Sequence, residues 1–377
     1  MICSHLRFVG GGRWATIVLT ELAKEFPNLE IDWVCNSKFD ERKNLIKNSP
    51  FLKGVNIFDK KNVSGLTNPD KLIIASHSSQ HCLDLLTHKK DIPLLIEKPL
   101  FPTYSEFEAL SQKDKNNTFM NLEFYNAFFI SDFFNKIKSY DVKEIKFIWH
   151  DPLTEKREGE ESKDSEIYSS IFMDQLIHVM SMVKLLKMKS YNSNKTQLEI
   201  GHDSNGCIRI VSEFDGVKIE ISLSRFAKVR ERIIDINSGE ISLDFSSKPV
   251  VKESGRFLEE ILSSGRLFPI AQTLSKFIKY SADENKLPLS LESLMPEISF
   301  CFECEDLFIK DISSRLDSYS ISEEIAEMIK PNLVYYAGIK YYKEIKESGM
   351  TSGIHFLKGI EGVRELLSWW RINQSLR

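Results

Sequence analysis

Asp174 and His178 lie four positions apart, and their types and spacing suit proton transfer. A spacing of four places two side chains on one face of a helix. The ordinary pKa of histidine is about 6.5, which makes imidazole the natural group for exchanging a proton at neutral pH. The stretch 170–180 is otherwise mostly apolar, so we expect the pair to face a cleft. The alternative is an ion pair on the surface of a helix.

A second candidate is the turn after the apolar run 6–9, where small residues recur as Gly10, Gly12 and Ala15. Gly10 permits a tight turn, Gly12 lets the backbone approach a pyrophosphate, and Ala15 lets a helix pack against the strand. The first N–H groups of that helix attract phosphate. The pattern predicts dinucleotide binding, although an ordinary turn can have this spacing by chance. The residues expected to bind the cofactor here are Gly10, Gly12, Arg13, Trp14 and Ala15.

The end of the second predicted strand, about twenty residues later, indicates which cofactor binds. An acidic residue at this point would bind both ribose hydroxyls and repel a 2′-phosphate. Here the chain has Asn36, Ser37 and Lys38, with Arg42 one turn into the next helix. A small hydroxyl beside cations fits a phosphorylated ribose, so NADP(H) is favoured over NAD(H). In the alternative interpretation, Lys38 and Arg42 are solvated and Asp40 binds the ribose.

Two further predicted strands deliver polar residues to one edge of the same sheet. A polar turn follows the predicted strand 71–75, and a charged pair with a proline follows the predicted strand 93–96. Ligands of open α/β sheets bind at the carboxyl ends of the strands. The residues expected to line the cofactor site there are Ser76, His77, His81, Glu97, Lys98 and Pro99. By spacing, His77, His81 and His88 could bind a metal ion, but nothing else completes such a site and none is expected.

The elements that position these residues follow from hydrophobic periodicity. In the first third of the chain, strands are predicted at 5–9, 31–35, 55–57, 71–75, 93–96 and 118–123, and helices at 13–26, 39–48, 80–89 and 103–112. Beyond it, strands are predicted at 142–150, 197–202, 207–214, 217–225, 231–237 and 240–245. Helices are predicted at 126–138 and 286–311 and in the pattern of 312–377, and a polar loop at 153–164.

Three motifs together carry a family resemblance: the glycine-rich first turn, the polar turn ending in His81, and Glu97-Lys98-Pro99-Leu100. On these motifs the chain resembles the Gfo/Idh/MocA oxidoreductases, named for glucose–fructose oxidoreductase, inositol dehydrogenase and a rhizopine-catabolism protein. The match is densest over residues 6–100. The resemblance implies an α/β fold class: an N-terminal Rossmann dinucleotide-binding domain, then a C-terminal α+β domain with a large, mostly antiparallel open sheet. The predicted domains are 1–124, 125–311 and a helical C-terminal extension, 312–377.

The resemblance also implies a chemistry, in which hydride passes between NAD(P) and a hydroxyl or keto group of a sugar-like or cyclitol-like small molecule. Lys98 would lie at the nicotinamide end of the cleft and bond the reacting oxygen, with Pro99 fixing the backbone after it. His178 would exchange the hydroxyl proton, and Asp174 would orient His178 or bind a neighbouring substrate hydroxyl.

Two departures from the family pattern bear on the substrate. Residues 167–170 replace a glycine-rich turn, and His77-Ser78 stands where the family has proline and asparagine. Two alternatives to a sugar dehydrogenase stay open: an NADPH-dependent reductase of C=N bonds in a biosynthetic pathway, and a cofactor-binding regulatory protein without turnover. Retention of Lys98, Asp174 and His178 speaks against the second.

Composition bounds the class of protein. Of 377 residues, 42% are hydrophobic and 28% are charged, which is typical of a globular protein. The net charge of −4 does not favour nucleic acid or an anionic membrane as a partner. No apolar run approaches the ~20 residues of a membrane helix, and no signal-peptide pattern is present, so we expect a cytoplasmic protein. The resemblance implies a homodimer or homotetramer through the C-terminal sheet. The six scattered cysteines, Cys301 and Cys304 included, are expected to be structural thiols.

Overall fold

A computed structural model describes the ranges 3–35, 38–77, 80–88, 91–99, 110–152, 154–155, 163–164, 169–188, 195–200, 207–261, 268–280, 289–317, 323–348 and 356–374. The chain divides into two compact units. The first comprises Met1–Ile130 and Ser263–Met295, and the second comprises Ser131–Leu262 and Pro296–Arg377. Each unit therefore takes two separate segments of the chain. The domain limits expected from the sequence, 1–124, 125–311 and 312–377, stay a prediction.

A parallel sheet organises the first unit. Its strands are β1 (His5–Val9), β2 (Glu30–Cys35), β3 (Val55–Asp59), β4 (Lys71–Ile74), β5 (Leu94–Glu97) and β6 (Thr118–Asn121). The helices between them are α1 (Arg13–Glu25), α2 (Phe39–Asn48), α3 (His81–His88) and α4 (Gln112–Asn117). The strands pair in parallel in the order β3-β2-β1-β4-β5-β6. This is the strand order of a Rossmann domain, which confirms the predicted N-terminal fold.

A larger sheet organises the second unit. Its strands are β7 (Glu144–Pro152), β10 (Gln197–Ile200), β11 (Ile208–Phe214), β12 (Val217–Ala227), β13 (Glu231–Ile236), β14 (Ile241–Asp244), β15 (Val250–Glu253) and β16 (Arg256–Glu260), and the short β8 (Thr154–Glu155) and β9 (Lys163–Asp164) pair separately. The order is β10-β11-β12-β7-β13-β14-β15-β16, with only β12 and β7 parallel. The mostly antiparallel sheet confirms the predicted C-terminal fold.

The remaining helices in chain order are α5 (Phe128–Ile137), α6 (Ile177–Leu185), α7 (Pro269–Lys279), α8 (Met295–Asp317), α9 (Glu323–Lys340), α10 (Tyr342–Ser348) and α11 (Gly359–Gln374). The helical pattern predicted beyond residue 312 is therefore present. Cys301 and Cys304 are fully buried in α8, and burial raises the pKa of both thiols well above the usual range. Within the described ranges, none of the helices combines the length and the apolar character that crossing a bilayer requires.

Helix α7 follows the second sheet in sequence but packs in the first unit, and the sequence patterns did not predict it. Lys71 of β4 binds its last turn: Nζ donates to the carbonyl oxygens of Phe277, Ile278 and Tyr280 at 2.6, 2.9 and 2.6 Å. Lys71 is only 4% exposed, and three acceptors satisfy the three donors of its ammonium group. A cation at this end also complements the helix dipole. One buried lysine therefore fastens α7 to the parallel sheet.

Some predicted elements differ from the structure. The helix expected at 103–112 falls mostly outside the described residues, and the helix found next is α4, which Ser111 begins with a capping box. Strands β15 and β16 were not predicted. All five positions of β16 are exposed, so it lacks the apolar alternation by which strands are recognised. The polar loop expected at 153–164 lies largely outside the described residues, apart from the β8–β9 pair.

Candidate active site

The glycine-rich turn joins β1 to α1. Gly10 has a positive φ of 145°, and a Cβ there would lie 2.4 Å from the carbonyl oxygen of Ala75, so the sheet itself requires glycine at this position. Gly12 is the N-cap of α1 with φ −74° and ψ 177°, and a Cβ there would meet nothing within 4 Å. Ala15 is fully buried against the sheet. The turn thus combines a close approach at Gly10 with open space at the helix N-terminus beside Gly12.

Arg42 is the cation that reaches this turn. Its side chain is buried, and Nε donates to the carbonyl oxygen of Gly11 at 2.8 Å. Its Nη2 is buried too, and has no hydrogen-bond partner among the described residues. Lys38, in contrast, has a left-handed φ of 59° and an exposed side chain whose Nζ is 3.8 Å from Glu41. Ser37 lies outside the described residues.

His81 joins the two turns at the carboxyl ends of β4 and β5. It is 1% exposed, with Nδ1 2.8 Å from the carbonyl oxygen of Pro99 and Nε2 2.9 Å from that of Ser76. Carbonyl oxygens only accept hydrogen bonds, so both contacts are hydrogen bonds only when both ring nitrogens carry a proton. Each ring nitrogen faces a carbonyl oxygen of one turn, so the His81 ring bridges the two turns. His77 directly follows Ser76 in the chain and is exposed.

Glu97 connects the Lys98 turn to the glycine-rich turn. Its buried carboxylate accepts hydrogen bonds from the side chains of Trp14 and Asn121. Burial raises the pKa of Glu97 to about 7, against the lowering effect of these two donors. Lys98 follows directly, half-buried, and its peptide bond to Pro99 is cis.

The contacts above connect the turns that carry Gly11, Ser76, Glu97 and Pro99 in the first unit, whereas the predicted cofactor residues Lys38 and His77 are exposed. Arg13 is half-buried and Trp14 is 37% exposed in the same turn. Lys98 belongs to this unit, whereas Asp174 and His178 belong to the second.

Asp174 and His178 lie on a helix that begins with a π-helical turn, Phe172–Leu176, in place of the regular α-helix expected from the sequence. Its signature is a hydrogen bond from the Ile177 N–H to the carbonyl oxygen of Phe172, five residues back. Asp174 and His178 are 6% and 5% exposed, so both are withdrawn from open water as expected. Single π-turns of this kind are frequent at functional sites.

Arg225 of β12 binds Asp174. Its Nη2 donates to Oδ2 of Asp174 at 2.9 Å and to the carbonyl oxygen of Ser170 at 3.0 Å, and Nη1 donates to that of Ser169 at 2.6 Å. The guanidinium is buried, so the ion pair is poorly screened by water. Asp174 is accordingly held as a carboxylate by a side chain from the sheet beneath it.

The ring of His178 packs on the sheet. It stacks on Trp149 of β7, with ring centroids 5.1 Å apart and planes 9° from parallel. The guanidinium of Arg232 lies over the same indole, 3.9 Å from its centroid, and donates to Asp151 at 2.7 Å. Gln175 donates to Asp151 as well, at 3.3 Å. His178 is therefore fixed against an aromatic ring that also carries the guanidinium of Arg232.

Sequence reasoning missed Trp149, Asp151, Arg225 and Arg232. A signal for the two arginines existed. In β12, the buried positions 219, 221 and 223 put Arg225 on the same face, and in β13 the buried positions 234 and 236 do the same for Arg232. A charged residue on the buried face of a strand needs a charged partner, and Asp174 and Asp151 supply it.

No family model and no curated protein match this sequence. Solved structures match its fold. The UDP-N-acetylglucosamine 3-dehydrogenase of Acidithiobacillus ferrooxidans is 13% identical, with 81% of this chain and 98% of that chain covered and a TM-score of 0.60. A Gfo/Idh/MocA family oxidoreductase from Vibrio cholerae is 13% identical, with 80% and 98% covered and a TM-score of 0.59. The scyllo-inositol dehydrogenase of Lactobacillus casei, with bound NAD(H) and scyllo-inositol, is 12% identical, with 82% and 98% covered and a TM-score of 0.60.

At these identities the likeness is one of fold. The chain has the fold of the Gfo/Idh/MocA oxidoreductases, and this confirms the resemblance expected from its sequence at the level of fold.

Proposed function

We propose that this chain is a nicotinamide-dependent oxidoreductase that transfers hydride between NAD(P) and a hydroxyl or keto group of a sugar-like or cyclitol-like small molecule. The observation that carries the proposal is the open space at Gly12, at the N-terminus of α1. Gly12 follows the first strand of a Rossmann sheet. Trp14, two residues later, binds Glu97 at the end of β5, and this contact brings the turn that carries Lys98 close to the N-terminus of α1. The names of the structural neighbours, a sugar-nucleotide dehydrogenase and an inositol dehydrogenase, support the reaction class.

The residues present fit a dinucleotide. In this proposal the N–H groups that follow Gly12 bind the pyrophosphate, and the buried Nη2 of Arg42 is a ready donor to a phosphate on the ribose. The sequence predicted that Ser37, Lys38 and Arg42 bind the 2′-phosphate of the ribose. In this proposal Arg42 is the main donor to that phosphate, which favours NADP(H) over NAD(H). When bound, the nicotinamide supplies or accepts the hydride.

The proposed catalytic roles belong to three side chains. Lys98 donates a hydrogen bond to the reacting oxygen and stabilises negative charge as it develops there. His178 takes the hydroxyl proton in oxidation and returns it in reduction. Asp174, fixed as a carboxylate by Arg225, accepts a hydrogen bond from a neighbouring substrate hydroxyl or orients His178.

Cofactor-binding and hydride-transfer assays on the purified protein test the proposal. NADPH and NADH binding is measured by fluorescence, and hydride transfer by absorbance at the nicotinamide band, across sugar nucleotides, free sugars, cyclitols and cyclic imines. On any substrate found, we expect Lys98→Ala and His178→Ala to lower kcat by roughly 100-fold or more while NADPH binding stays nearly intact. Lys53→Ala, at an exposed lysine in the same unit, is the matched control.

Unchanged turnover in both variants would remove the assigned roles. Turnover confined to the imines would replace the sugar substrate with a C=N bond. NADPH binding without turnover on any member of the panel would favour the regulatory alternative.

A cytoplasmic location stays a prediction.

We further propose that copies of the chain form a homodimer or homotetramer through the second sheet. Strand β7 buries alternate residues on one face, whereas Lys146, Ile148 and His150 on the other are half-exposed. In β13, Ile233 continues this half-exposed face. Light scattering on Ile148→Arg/Ile233→Arg tests it: we expect a smaller particle than the wild type, and an unchanged mass would contradict assembly through this face.

A further inference from the structure

A buried tyrosine on helix α9 is connected to the candidate catalytic residue Asp174. The hydroxyl of Tyr336 donates to Oε1 of Glu305, on α8, at 2.6 Å. Tyr336 and Glu305 are 1% and 5% exposed. Burial raises the pKa of Glu305 to about 7 and that of Tyr336 well above its usual range. A polar pair this deep in the protein costs free energy unless its hydrogen bonds are made.

The second half of the connection runs from Glu305 to the π-helical turn. The hydroxyl of Ser170 donates to Glu305 and accepts from the N–H of Met173 at 3.2 Å. The carbonyl oxygen of Ser170 accepts from Arg225, whose guanidinium binds Asp174. The charges of Glu305 and Arg225 also interact directly. Arg225 is therefore hydrogen-bonded to one buried carboxylate, Asp174, and acts on a second, Glu305, through its charge alone.

Packing of α8 against the same turn supports this connection. Phe308 of α8 packs on Phe172, with ring centroids 5.5 Å apart. Lys184, at the end of α6, is 3.2 Å from Glu297 of α8. The helix that carries Glu305 therefore contacts the helix that carries Asp174 near both of its ends.

We propose that Tyr336 and Glu305 are positioning residues for Asp174: the Tyr336 hydroxyl holds the Glu305 carboxyl on Ser170, which leaves the Arg225 guanidinium to Asp174. The inference rests on the proposed function, since it takes Asp174 as part of the catalytic set. It assigns a role to α9, a helix of the C-terminal segment to which the sequence patterns gave none.

The groups around Glu305 set the direction of the effect. Asp306, on the same helix as Glu305, disfavours a negative charge on Glu305, whereas Arg225 of β12 favours it. Tyr336 and Ser170 each donate a hydrogen bond to the Glu305 carboxylate. When the Tyr336 hydroxyl is removed, Glu305 loses one of the donors that favour its charge, and we expect its carboxylate to turn towards Arg225, the cation that still favours it, and to compete there with Asp174. The negative charge of Asp174 is then less compensated, and a neighbouring imidazole gains and loses its proton at higher pH.

The test measures the pH titration of the His178 ring by NMR, and it needs no substrate. The ring C–H signals of the eight histidines are followed against pH, and the one lost in His178→Asn is assigned to His178. We expect Tyr336→Phe to move the titration midpoint of His178 upwards by about half a pH unit. Tyr335→Phe is the matched control, because this buried ring packs edge-on against Tyr336 on the same helix, and it should leave the midpoint unchanged.

Two double variants test whether the effect of Tyr336 reaches His178 through Glu305 and Asp174. Tyr336→Phe should have no effect when combined with Glu305→Gln, nor when combined with Asp174→Asn, because each removes a step between the tyrosine and the imidazole. Asp174→Asn alone should move the midpoint downwards, and this arm tests the proposed function separately. An immobile midpoint in Tyr336→Phe, or an equal shift in the Asp174→Asn background, would overturn the positioning role while leaving Asp174 in place. An immobile midpoint in Asp174→Asn alone would overturn the assignment of Asp174 and the inference with it.

Discussion

The indole of Trp14 donates a hydrogen bond to the buried carboxylate of Glu97. Trp14 lies in the first turn of α1, directly after the glycine-rich turn, and Glu97 ends β5, two strands away from β1 in the sheet. The turn expected to hold the dinucleotide and the turn that carries Lys98 therefore share one carboxyl group. Anything that changes the charge of Glu97 acts on both.

The pKa of Glu97 gives a prediction about pH. Burial raises it to about 7 from an ordinary value near 4.5, so the folded protein keeps the proton that the unfolded chain loses. Stability is then lost as pH rises from about 4.5 to about 7, by on the order of 3 kcal/mol from this group. Urea unfolding of Glu97→Gln at pH 5, 6, 7 and 8 should show a shallower decline than the wild type. Glu25→Gln, at an exposed glutamate of α1, should follow the wild type, and parallel curves for Glu97→Gln would contradict the prediction.

Gly10 and Gly12 should respond differently to alanine. Gly10→Ala forces a Cβ onto the Ala75 carbonyl at a positive φ, and we expect a loss of about 3 kcal/mol or more. Gly12→Ala fits its backbone angles and open surroundings, so stability should stay within about 1 kcal/mol of the wild type. NADPH binding by Gly12→Ala should nevertheless weaken by roughly tenfold or more, because the methyl group displaces a phosphate from its N–H donors. Thermal melts and fluorescence titration check both, and undiminished binding would argue against a phosphate at Gly12.

The choice between cofactors should depend on Arg42. Arg42→Met removes a buried, charge-assisted donor worth about 1.5–3 kcal/mol, so NADPH should lose affinity by roughly 10-fold to 100-fold more than NADH does. The ratio of the two dissociation constants is the measurement, since loss of the bond to Gly11 weakens both cofactors alike. Lys38→Met, at the exposed lysine nearby, should leave the ratio almost unchanged. A ratio that moves with Lys38 and stays constant with Arg42 would assign the ribose phosphate to Lys38 in place of Arg42.

Lys71 should be among the most costly lysines to replace. Lys71→Met leaves the carbonyl oxygens at the end of α7 without their buried donor, and we expect a loss of about 3–5 kcal/mol. Lys279→Met, at an exposed lysine in the same last turn, should cost less than about 0.5 kcal/mol. Guanidinium unfolding compares the two variants. Equal stabilities would mean that packing alone holds α7.

The first sheet was open to prediction because its signals are local. Buried parallel strands such as β4 stand out as apolar runs, and the turn at Gly10 and Gly12 has a fixed spacing. The residues that support Asp174 and His178 gave no such signal. Arg225 is 51 residues from Asp174 and Arg232 is 81 from Asp151, and only the pairing of the strands brings each to its partner.

Helix α7 and the π-helical turn illustrate two other limits. The periodicity of α7 is that of an ordinary amphipathic helix, and nothing in residues 269–279 indicates that they pack in the first unit rather than the second. The turn Phe172–Leu176 differs from an α-helix by one hydrogen-bond step, which apolar residues in succession do not encode. Both depend on distant contacts, with Lys71 in one case and with Arg225 in the other.

The carbonyl of Phe277 lies 206 residues after Lys71 in the chain. At a synthesis rate of about 5–20 residues per second, a ribosome takes roughly 10–40 s to cover that distance. During this interval the strands of the second sheet up to β16 emerge, while the parallel sheet still lacks α7 and the ammonium group of Lys71 still lacks its three acceptors. The nascent chain thus completes its first unit only after the strands of the second sheet have been made, although the six strands of the first sheet are translated before them.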